Sequence, residues 1–577
     1  MFRFLVLVCC FLLPSWATAN TPRPPGVAVA TAHPKATRAA IDILRRGGNA
    51  FDAAIAASAV LAVVEPYGHG LGGGGFYLLR VEPKDCPKDT KVKCESRDIM
   101  IDARERAPMA ITAKHYLDAN GRPKPRASLD GALAAGIPGT PAALVHLAER
   151  YGRLPLSVTL APAIRLAREG FVVHPPYRQM AEWRAEALRR DPESRRIFLD
   201  DGFVPNDGHV VKQPELAETL ERLAARGHDG FYGGETARRL VDGVRAHGGL
   251  WTKEDLSAYR VVERAPVQGR YRNLRITSAA LPSSGGIVLV EALGILEYVD
   301  LARMNRSERA HAVIEAMRIA YRDRARFLGD PDFVAIDTKR LLSPIYHARL
   351  RALIRPHTRA RLVGQDRETG AEGTNTTHLS IIDTEGNRVA ATLSLNTSFG
   401  SAFTVPGTGV LLNNQMDDFV LLPGAANTYG LVGSRANKLA PGKRPLSSMT
   451  PTFLETDDRV VILGTPGGSR IISMVLLATL EVADGRGDAE AWVRKPRFHH
   501  QYLPDRVEYE PDALDRAGRE HLKKLGHLQR ELRPYGNMQI VVWDKRLGRL
   551  QAASDPRGGG EGKVVLGEPV KPAAADR

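Results

Sequence analysis

Residues 374–419 read TNTTHLSIIDTEGNRVAATLSLNTSFGSAFTVPGTGVLLNNQMDDF, and the alternation of apolar and polar residues within them predicts central strands. The turn sequence Glu385-Gly386-Asn387 separates two alternating runs, as in a β-hairpin. We therefore predict two antiparallel strands that each bury one face. The residues of the predicted buried face are Leu379, Ile381, Val389, Ala391, Leu393 and Leu395.

The position of the turn also predicts which residues lie opposite each other. A hairpin folded about residues 385 and 386 pairs positions whose numbers add up to about 385 + 386 = 771. Thr376 then lies beside Ser394 or Asn396. A hydroxyl next to a second hydroxyl or an amide can belong to a catalytic site, although an ordinary Thr- and Ser-rich surface hairpin has the same spacing.

The segments before the hairpin have helical periodicity. The predicted helices are 36–46, 50–64, 156–169, 214–226, 235–247 and 307–328. Helices first and strands later along the chain predict an α+β fold built of layers. We expect a disordered tail after about Gly558.

A glycine cluster at residues 70–75 satisfies the GxGxxG pattern of dinucleotide-binding folds. That pattern requires a strand before it and a helix after it, whereas the order predicted here is the reverse. We therefore interpret the cluster as a tight passage of the backbone. The GxSxG, HExxH and GxxxxGK[ST] patterns of other catalytic sites do not occur in the sequence.

The N-terminus predicts a cleaved secretory signal peptide over residues 1–19. Arg3 precedes an apolar run that Pro14 ends, and Ala17 and Ala19 supply small residues before the cut. We therefore expect a periplasmic or secreted protein of 577 − 19 = 558 residues, without a stable membrane span.

Two cysteines follow the signal peptide, Cys86 and Cys94 in the sequence CPKDTKVKC. In an oxidising compartment we favour a disulfide between them over two free thiols. The loop it closes is short, so the expected stabilisation is about 2.5 kcal/mol.

The composition is that of a globular protein, with 43% hydrophobic and 25% charged residues. The net charge is +15, but basic residues are scattered among acidic ones and aromatic residues make up only 6%. We therefore expect no nucleic-acid partner, because such proteins concentrate their basic residues on one face.

Nine sequence blocks in one order resemble the γ-glutamyltransferases (γ-glutamyl transpeptidases, glutathione hydrolases), which are N-terminal nucleophile (Ntn) hydrolases. The resemblance extends from about Gly26 to Gly558. The blocks are RRGGNAFDAAIA (45–56), GLGGGGF (70–76), IDARERAP (101–108), LPSSGGI (281–287), GDPDF (329–333), TTHLS (376–380), NNQMDDF (413–419), RPLSSMTP (444–451) and GTPGGSR (464–470).

This resemblance implies a precursor that cuts itself between Asn375 and Thr376. The products would be a large subunit, residues 20–375, and a small subunit, residues 376–577, which form a heterodimer and share an αββα four-layer sandwich. Thr376 would then be both nucleophile and, through its new α-amino group, general base. Thr377 is the adjacent rival, but the family pattern places a histidine two residues after the nucleophile, and His378 fits Thr376.

The resemblance also implies the roles of further residues and requires no metal or organic cofactor. Glutathione or another γ-glutamyl compound would be the donor, and water, an amino acid or a dipeptide the acceptor. The implied residues are Arg104, Ser447 and Ser448 for the α-carboxylate, Asp418, Asn396 and Gln415 for the α-ammonium, Gly467 and Gly468 for the oxyanion, and Tyr429 in a lid over residues 423–433. Ser394 stands where the family often has a second threonine, so the hydroxyl is kept and the β-methyl is lost.

Two other functions remain open from the sequence. A cephalosporin-acylase-like amidase on the same fold would remove a side chain that lacks the α-amino group, against which the retained Asp418 argues. A non-catalytic secreted binding protein on the same scaffold would not need Thr376 or the glycine pair Gly467-Gly468.

Overall fold

The computed structural model describes residues 23–83, 95–362, 375–422 and 424–567. The predicted signal peptide and both cysteines, Cys86 and Cys94, lie outside the described residues. No helix within these ranges is long and apolar enough to cross a membrane.

The described residues contain twenty strands and seventeen α-helices. The strands are β1 (Gly26–Thr31), β2 (Gly74–Val81), β3 (Arg97–Ala103), β4 (Phe171–Val172), β5 (Val210–Val211), β6 (Val262–Arg264), β7 (Val267–Tyr271), β8 (Leu274–Ser278), β9 (Thr377–Ile382), β10 (Arg388–Ser394), β11 (Thr404–Val405), β12 (Val410–Leu411), β13 (Thr452–Glu455), β14 (Arg459–Gly464), β15 (Phe498–His499), β16 (Arg506–Tyr509), β17 (Leu528–Glu531), β18 (Gln539–Asp544), β19 (Arg549–Ser554) and β20 (Glu561–Leu566). The helices are α1 (Pro34–Arg45), α2 (Ala50–Val64), α3 (Thr140–Arg150), α4 (Leu156–Glu169), α5 (Pro175–Arg190), α6 (Pro192–Phe198), α7 (Pro214–Arg226), α8 (Asp229–Tyr232), α9 (Gly234–Ala246), α10 (Lys253–Ser257), α11 (Gly285–Glu297), α12 (Arg306–Phe327), α13 (Thr338–Leu341), α14 (Pro344–Arg351), α15 (Ile471–Ala483), α16 (Ala489–Arg494) and α17 (Arg516–Lys524).

Two large sheets, in which all neighbouring strands are antiparallel, form the centre of the fold. The first sheet has the order β20-β1-β9-β10-β2-β3-β6, and the second has the order β19-β18-β14-β13-β8-β7. The predicted hairpin, β9 and β10, therefore occupies the middle of the first sheet rather than an edge.

The apolar cores place the sheets face to face between two helical layers. Side chains of both sheets meet in one core, which contains Ala28, Ala30, Leu78, Ile382, Ala390, Phe453, Val460, Ile462, Val541 and Trp543. Helices α1, α2 and α4 cover the other face of the first sheet, and α11, α12 and α15 cover the other face of the second. The order helix, sheet, sheet, helix confirms the predicted α+β, αββα architecture.

The hairpin register agrees with the prediction to within one residue. Arg388 pairs with Ile382 and Leu393 with Thr377, so paired numbers add up to 388 + 382 = 393 + 377 = 770. The prediction of a single buried face was wrong, because every residue of β9 and β10 is buried. The polar face, which carries His378, contacts the second sheet at Gly464 instead of water.

The predicted helices occur at the predicted places, with ends that shift by at most two residues. Helix α2 has the predicted bounds, and the side chain of Asn49 caps it by accepting from Phe51 N and Asp52 N. The helix predicted from Ser307 begins at Arg306, because Asn305 is the cap and Glu308 completes a capping box.

The prediction of a disordered tail after Gly558 was wrong for β20. This strand pairs with β1, from Gly26 opposite Leu566 to Thr31 opposite Glu561. Its partner is more than 500 residues away along the chain, so no local pattern indicates the pairing. Residues 568–577 lie outside the described ranges.

Candidate active site

Thr376 immediately precedes β9, and its hydroxyl lies between the carbonyl group of Asn375 and the hydroxyl of Ser394. Thr376 Oγ1 contacts the carbonyl oxygen of Asn375 and donates to Ser394 Oγ at 3.2 Å. Ser394 Oγ also accepts from Asn396 N at 2.8 Å, which fixes its position. The hydroxyl of Thr376 therefore faces the carbonyl group that a self-cleavage reaction would attack.

The glycine cluster at residues 70–75, which leads into β2, allows the backbone to pass close to β10, the strand that ends at Ser394. A Cβ atom on Gly73 would lie 2.2 Å from the carbonyl oxygen of Ser394, and one on Gly75 would lie 2.2 Å from that of Thr392. Gly75 also has a φ of +155°. The interpretation as a tight backbone passage is therefore confirmed, and larger residues would displace β10.

A cavity of about 30 Å³ adjoins Thr376 and collects residues from distant parts of the chain. Its volume is that of about one water molecule. Its lining consists of Arg104, Arg324, Thr376, Ser394, Asn396, Gln415, Asp418, Tyr429, Leu431, Leu446, Ser447, Ser448, Met449, Gly468, Ser469 and Ile471. Of the substrate and catalytic residues predicted from the sequence, only Gly467 is not part of this lining, and it adjoins Gly468.

Arg104 and Asp418 contact each other directly across the cavity. Arg104 Nη2 donates to Asp418 Oδ2 at 2.5 Å, and Arg104 Nε donates to the carbonyl oxygen of Pro445 at 3.1 Å. The Arg104 side chain is 1% exposed and that of Asp418 11%. Burial raises the pKa of the Asp418 carboxyl, while the adjacent Arg104 opposes that rise. Two groups with opposite charges therefore neutralise each other within the cavity lining.

Glu105 places a second carboxyl beside the same guanidinium group. Glu105 Oε2 lies 3.6 Å from Arg104 Nη1, and neither carboxyl oxygen of Glu105 accepts a hydrogen bond among the described residues. Burial raises the pKa of Glu105 to about 7, and Arg104 counteracts only part of this effect. The negative charge of Glu105 is therefore poorly stabilised at neutral pH.

A second arginine, Arg324 on α12, connects Ser447 and Ser448, which we call the serine pair, to the helical layer. Arg324 Nε donates to Ser284 Oγ at 2.9 Å, and Arg324 Nη2 donates to Ser448 Oγ at 3.1 Å. Ser284 Oγ in turn donates to the carbonyl oxygen of Ser447 at 2.6 Å. Because Ser448 Oγ accepts from a cation, its own hydrogen is free to donate into the cavity. Burial lowers the pKa of Arg324 to about 10, so the group remains charged at neutral pH.

Gln415 presents an unsatisfied amide to the cavity. Its side-chain oxygen and nitrogen are both buried and have no hydrogen-bond partner among the described residues. Buried amides are normally paired, and an unpaired one costs about 1–3 kcal/mol. A ligand with both donors and acceptors would remove this cost.

Gly467 and Gly468 adopt backbone conformations that favour glycine, with φ of +145° and +56°. A Cβ atom on Gly468 would lie 2.5 Å from the ring of Tyr429, and one on Gly467 would lie 2.4 Å from Met474 Cε. Gly468 begins a short 3₁₀ turn, so its N–H has no partner within that turn. This N–H is available to an oxyanion next to Thr376.

Tyr429 and its neighbours cover the cavity. Tyr429 OH donates to the carbonyl oxygen of Asn396 at 2.7 Å, and Gln501 Nε2 donates to the carbonyl oxygen of Tyr429 at 2.9 Å. Asn427 Nδ2 donates to Asp418 Oδ1 at 3.0 Å. The segment predicted as a lid thus contacts both the candidate nucleophile region and Asp418, while Pro423 itself lies outside the described residues.

A much larger cavity, of about 880 Å³, borders Thr376 as well, and we call it the outer cleft. Its lining consists of Glu65, Tyr67, His174, Pro175, Pro176, Arg178, Gln179, Met180, Glu182, Trp183, Thr376, Pro466, Arg470, Leu532, Arg533, Pro534, Tyr535, Gly536, Asn537, Arg557, Gly558 and Gly559. Thr376 lines both cavities and so marks their junction.

Glu65 is a buried carboxyl at the inner end of the outer cleft. It accepts from Thr377 Oγ1 at 2.8 Å and from Tyr67 OH at 3.1 Å. Burial raises its pKa to about 7, although both hydrogen bonds lower it. Thr377 is thus engaged by Glu65, whereas Thr376 faces the cavity.

A group of metal-binding residue types, His311, Glu315 and His527, occurs away from both cavities. His311 Nδ1 lies 3.0 Å from His527 Nε2, and His311 Nε2 lies 2.8 Å from the carbonyl oxygen of Arg355. Glu315 accepts from Arg318 Nη1 at 2.6 Å. Hydrogen bonds within the protein therefore engage His311 and Glu315, while His527 Nδ1 has no partner among the described residues, and a dication there would lie beside the guanidinium of Arg318.

The sequence analysis missed two charged residues at this site, Arg324, which lines the small cavity, and Glu105, which contacts Arg104. Glu105 stands within the block IDARERAP, so its neighbourhood to Arg104 could have drawn attention to it. Arg324 occurs in the helical run MRIAYRDRARF, where several arginines have the same local context. Only the packing of α12 against the serine pair distinguishes it.

Comparisons with known proteins agree with this geometry. The family model described as Gamma-glutamyltranspeptidase matches residues 36–565. A glutathione hydrolase proenzyme from Pseudomonas sp. (strain A14) is 39% identical over 544 residues, which cover 92% of this chain and 92% of that protein. An Acylase ACY 1 proenzyme from Pseudomonas sp. (strain SE83) is 34% identical over 550 residues, 93% of each protein.

The fold also occurs among solved structures. A cephalosporin acylase from Bacillus halodurans superposes with a TM-score of 0.80 at 27% identity, covering 98% of this chain and 100% of that chain. Similar proteins thus include both glutathione hydrolases and acylases, so the substrate has to be argued from the site.

Proposed function

The chain belongs to the gamma-glutamyltranspeptidase family of enzymes, and we propose that it is a self-processing γ-glutamyltransferase that cleaves glutathione and related γ-glutamyl amides. The observation that carries this proposal is the convergence of Thr376, Arg104 and Asp418 on one cavity. These residues supply a nucleophile, a cation and an anion, which match the γ-carbonyl, the α-carboxylate and the α-ammonium group of a glutamyl residue.

In the proposed processing step, Thr376 Oγ1 attacks the carbonyl carbon of Asn375. The C–N bond of the peptide breaks, an ester forms at Oγ1, and the proton of the hydroxyl passes to the released amine. Water then hydrolyses the ester, which leaves a carboxylate on Asn375 and restores the hydroxyl next to a free α-amino group. The contact of Thr376 Oγ1 with the Asn375 carbonyl supports this step.

In the proposed catalytic step, the α-amino group of Thr376 accepts the hydroxyl proton while Oγ1 attacks the γ-carbonyl of the donor. An α-amino group has a pKa of about 7.7–8.0, so a useful fraction is neutral at physiological pH. The N–H groups of Gly467 and Gly468 would stabilise the oxyanion, each by about 3–4 kcal/mol. The proton then passes to the leaving amine, the amide C–N bond breaks, and a γ-glutamyl ester remains on Thr376. Water or an amine acceptor releases the glutamyl group by the reverse sequence.

Charge complementarity supports a glutamyl donor over a glutaryl one. Arg104, with Ser447 and Ser448, would bind the α-carboxylate, and Asp418, with Gln415 and Asn396, would bind the α-ammonium. Arg324 would act as a positioning residue, since it holds Ser448 with its hydroxyl hydrogen free to donate. A donor without the α-ammonium would draw Arg104 to its carboxylate and leave Asp418 with Asn427 but no cation, and the amide of Gln415 without a partner.

The donor must displace groups that close the cavity. A space of about 30 Å³ does not admit a glutamyl group, so the contact between Arg104 and Asp418 has to open and the segment around Tyr429 has to move. Ligand entry coupled to the movement of a covering loop is common in enzymes. We therefore propose that residues 424–433 act as the lid.

The test compares hydrolysis of glutathione with hydrolysis of an otherwise identical glutaryl peptide, which lacks the α-ammonium group. We expect kcat/KM to favour glutathione by at least about 100-fold, because the glutaryl compound leaves the buried charge of Asp418 without a cationic partner. The acylase relatives make a glutaryl amidase the second candidate. A preference for the glutaryl peptide would support that candidate and contradict the proposal.

A further inference from the structure

We propose that Arg533 in the outer cleft determines specificity by binding the free C-terminal carboxylate of the leaving group and of the acceptor. This inference rests on the proposed function, because it concerns the part of the substrate beyond the γ-amide bond.

The position of the cleft assigns it to this part of the substrate. Thr376 lines both the outer cleft and the small cavity. Arg104 and Asp418 belong to the lining of the small cavity but not to that of the cleft. A glutamyl group whose charged end reaches Arg104 therefore directs its γ-amide toward Thr376 and the atoms beyond it into the cleft. The same place must admit the acceptor amine, because the acceptor attacks the carbonyl that the leaving group has left.

The size of the cleft exceeds what a single amino acid requires. Its volume of about 880 Å³ lies near the upper end of the range of about 300–1,000 Å³ that is typical of small-molecule pockets. Peptides of more than two residues therefore fit as leaving groups or acceptors. Trp183, which is 44% exposed, offers aromatic surface for their side chains.

The lining of the cleft offers a cation to an anionic ligand. The lining contains four arginines and two glutamates, but Arg470 and Arg557 pair with glutamates outside the lining, which leaves Arg178 and Arg533 with Glu65 and Glu182. Glu65 is buried and its two carboxyl oxygens already accept from Tyr67 OH and Thr377 Oγ1, so Glu182 is the exposed carboxylate of this lining. A peptide carboxylate is the anionic group that every free peptide or amino acid acceptor carries.

Of the four arginines, Arg533 is the one available for a ligand. Arg470 pairs with Glu508 at 2.7 Å, and Arg557 pairs with Glu510 at 2.8 Å. Arg178 is 3.8 Å from Glu182, a loose contact. Arg533 is exposed and forms no ion pair or side-chain hydrogen bond with any residue in the described ranges. Its guanidinium group can therefore bind a carboxylate without breaking an existing contact.

The experiment compares two donors that differ only at the leaving group, a γ-glutamyl dipeptide with a free C-terminal carboxylate and its C-terminal amide. For the wild-type enzyme we expect kcat/KM to favour the free acid by about two- to fivefold, as for one ion pair at an exposed site. Arg533→Gln should bring this ratio close to one, and Arg533→Glu should bring it below one. Since Arg533 is exposed, neither variant removes a buried contact.

Arg270→Gln is the matched control. Arg270 lies on β7, is exposed, and forms no side-chain contact of this kind within the described ranges. This variant removes the same charge and should keep the wild-type ratio. Raising the salt concentration should lower the wild-type ratio and leave that of Arg533→Gln unchanged, because salt screens exposed charges.

A γ-glutamyl anilide separates this inference from the proposed function. The carboxylate-binding role of Arg533 is refuted if the wild-type enzyme cleaves the anilide but treats the free acid and the amide alike, or if Arg533→Gln keeps the wild-type ratio. In either case the proposed function stands. If the wild-type enzyme cleaves no γ-glutamyl compound, both are refuted.

Discussion

Replacing Arg324 by glutamine tests whether a buried cation organises the carboxylate site. Arg324 is 5% exposed and donates to Ser284 Oγ at 2.9 Å and to Ser448 Oγ at 3.1 Å. Glutamine is shorter and neutral, so it can keep at most one of these two contacts. Ser448 would then lose the donor that leaves its own hydrogen free for the substrate carboxylate.

The magnitude follows from the kind of hydrogen bond that is lost. Burial lowers the pKa of Arg324 to about 10, which is still well above neutral pH, so the lost hydrogen bond has a charged donor. Hydrogen bonds to charged groups contribute about 1.5–3 kcal/mol. At 1.4 kcal/mol for each factor of ten, kcat/KM should fall by about 10- to 150-fold, mainly through KM.

The assay measures kcat and KM with a γ-glutamyl anilide and with the anilide of 4-aminobutyrate, which lacks the α-carboxylate. Arg324→Gln should impair the first reaction far more than the second, because only the first donor has the group that Ser448 binds. Arg326→Gln is the matched control, since Arg326 lies on the same helix and is exposed. Thermal unfolding of both variants shows whether the fold is kept.

The reasoning is refuted if folded Arg324→Gln has the kcat/KM of Arg326→Gln with the γ-glutamyl anilide. It is equally refuted if Arg324→Gln impairs both donors by the same factor, because the effect would then not depend on the α-carboxylate.

Thr376→Ala should remain a single chain on a denaturing gel and be inactive, whereas Thr377→Ala should still divide into pieces of roughly 40 and 20 kDa, at about 110 Da per residue; cleavage of Thr376→Ala would contradict the assignment of the nucleophile. Gly468→Ala should lower kcat/KM by more than about tenfold, because its Cβ would lie 2.5 Å from the Tyr429 ring, and Gly548→Ala, at the same φ of +56° with nothing within 4 Å, is the control for backbone strain alone. Equal activity losses in these two variants would disprove the role of the ring contact. Glu105→Gln should change how stability depends on pH: burial raises the folded-state pKa of Glu105 from 4.5 to about 7, so the folded state binds the proton more tightly and its stability falls as pH rises from about 4.5 to 7. In a Thr376→Ala background, we therefore expect the free energy of unfolding of Glu105→Gln, measured with urea, to rise relative to that of its parent by up to about 3 kcal/mol between pH 4.5 and pH 8. A difference that does not depend on pH would count against the raised pKa.

Local sequence patterns predicted the parts of the fold whose causes are local. The bounds of α2 follow from the apolar run and its cap, and the register of β9 and β10 follows from the turn at Gly386. The burial of both faces of the hairpin could not be predicted from alternation alone. His378, Ser380 and Thr392 are polar but bond to one another between two sheets, where their hydrogen bonds replace those to water.

The candidate site was predictable where a motif marks it and not where packing creates it. Arg104, Asp418 and the serine pair stand in recognisable blocks, and the structure brings them to one cavity. The contact between Arg104 and Asp418 depends on how the 3₁₀ turn Gln415–Asp418 packs against the end of β3, which no motif encodes. The pairing of β20 with β1 is of the same kind, because its two partners are far apart in sequence.

The position of β9 within the first sheet affects how the protein can refold after it has been cut. β1, β2, β3 and β6 come from before Asn375, whereas β9, β10 and β20 come from after it, and the two sets alternate within one sheet. The second sheet also combines both sides of the proposed cut, but as two blocks, β7 and β8 from before it and the other four strands from after it. A chain that is cut after folding keeps this arrangement, but its separated pieces could recover it only by meeting in solution. Refolding of the cut enzyme should therefore be a second-order process whose yield depends on concentration, while the uncut precursor folds at a rate independent of dilution.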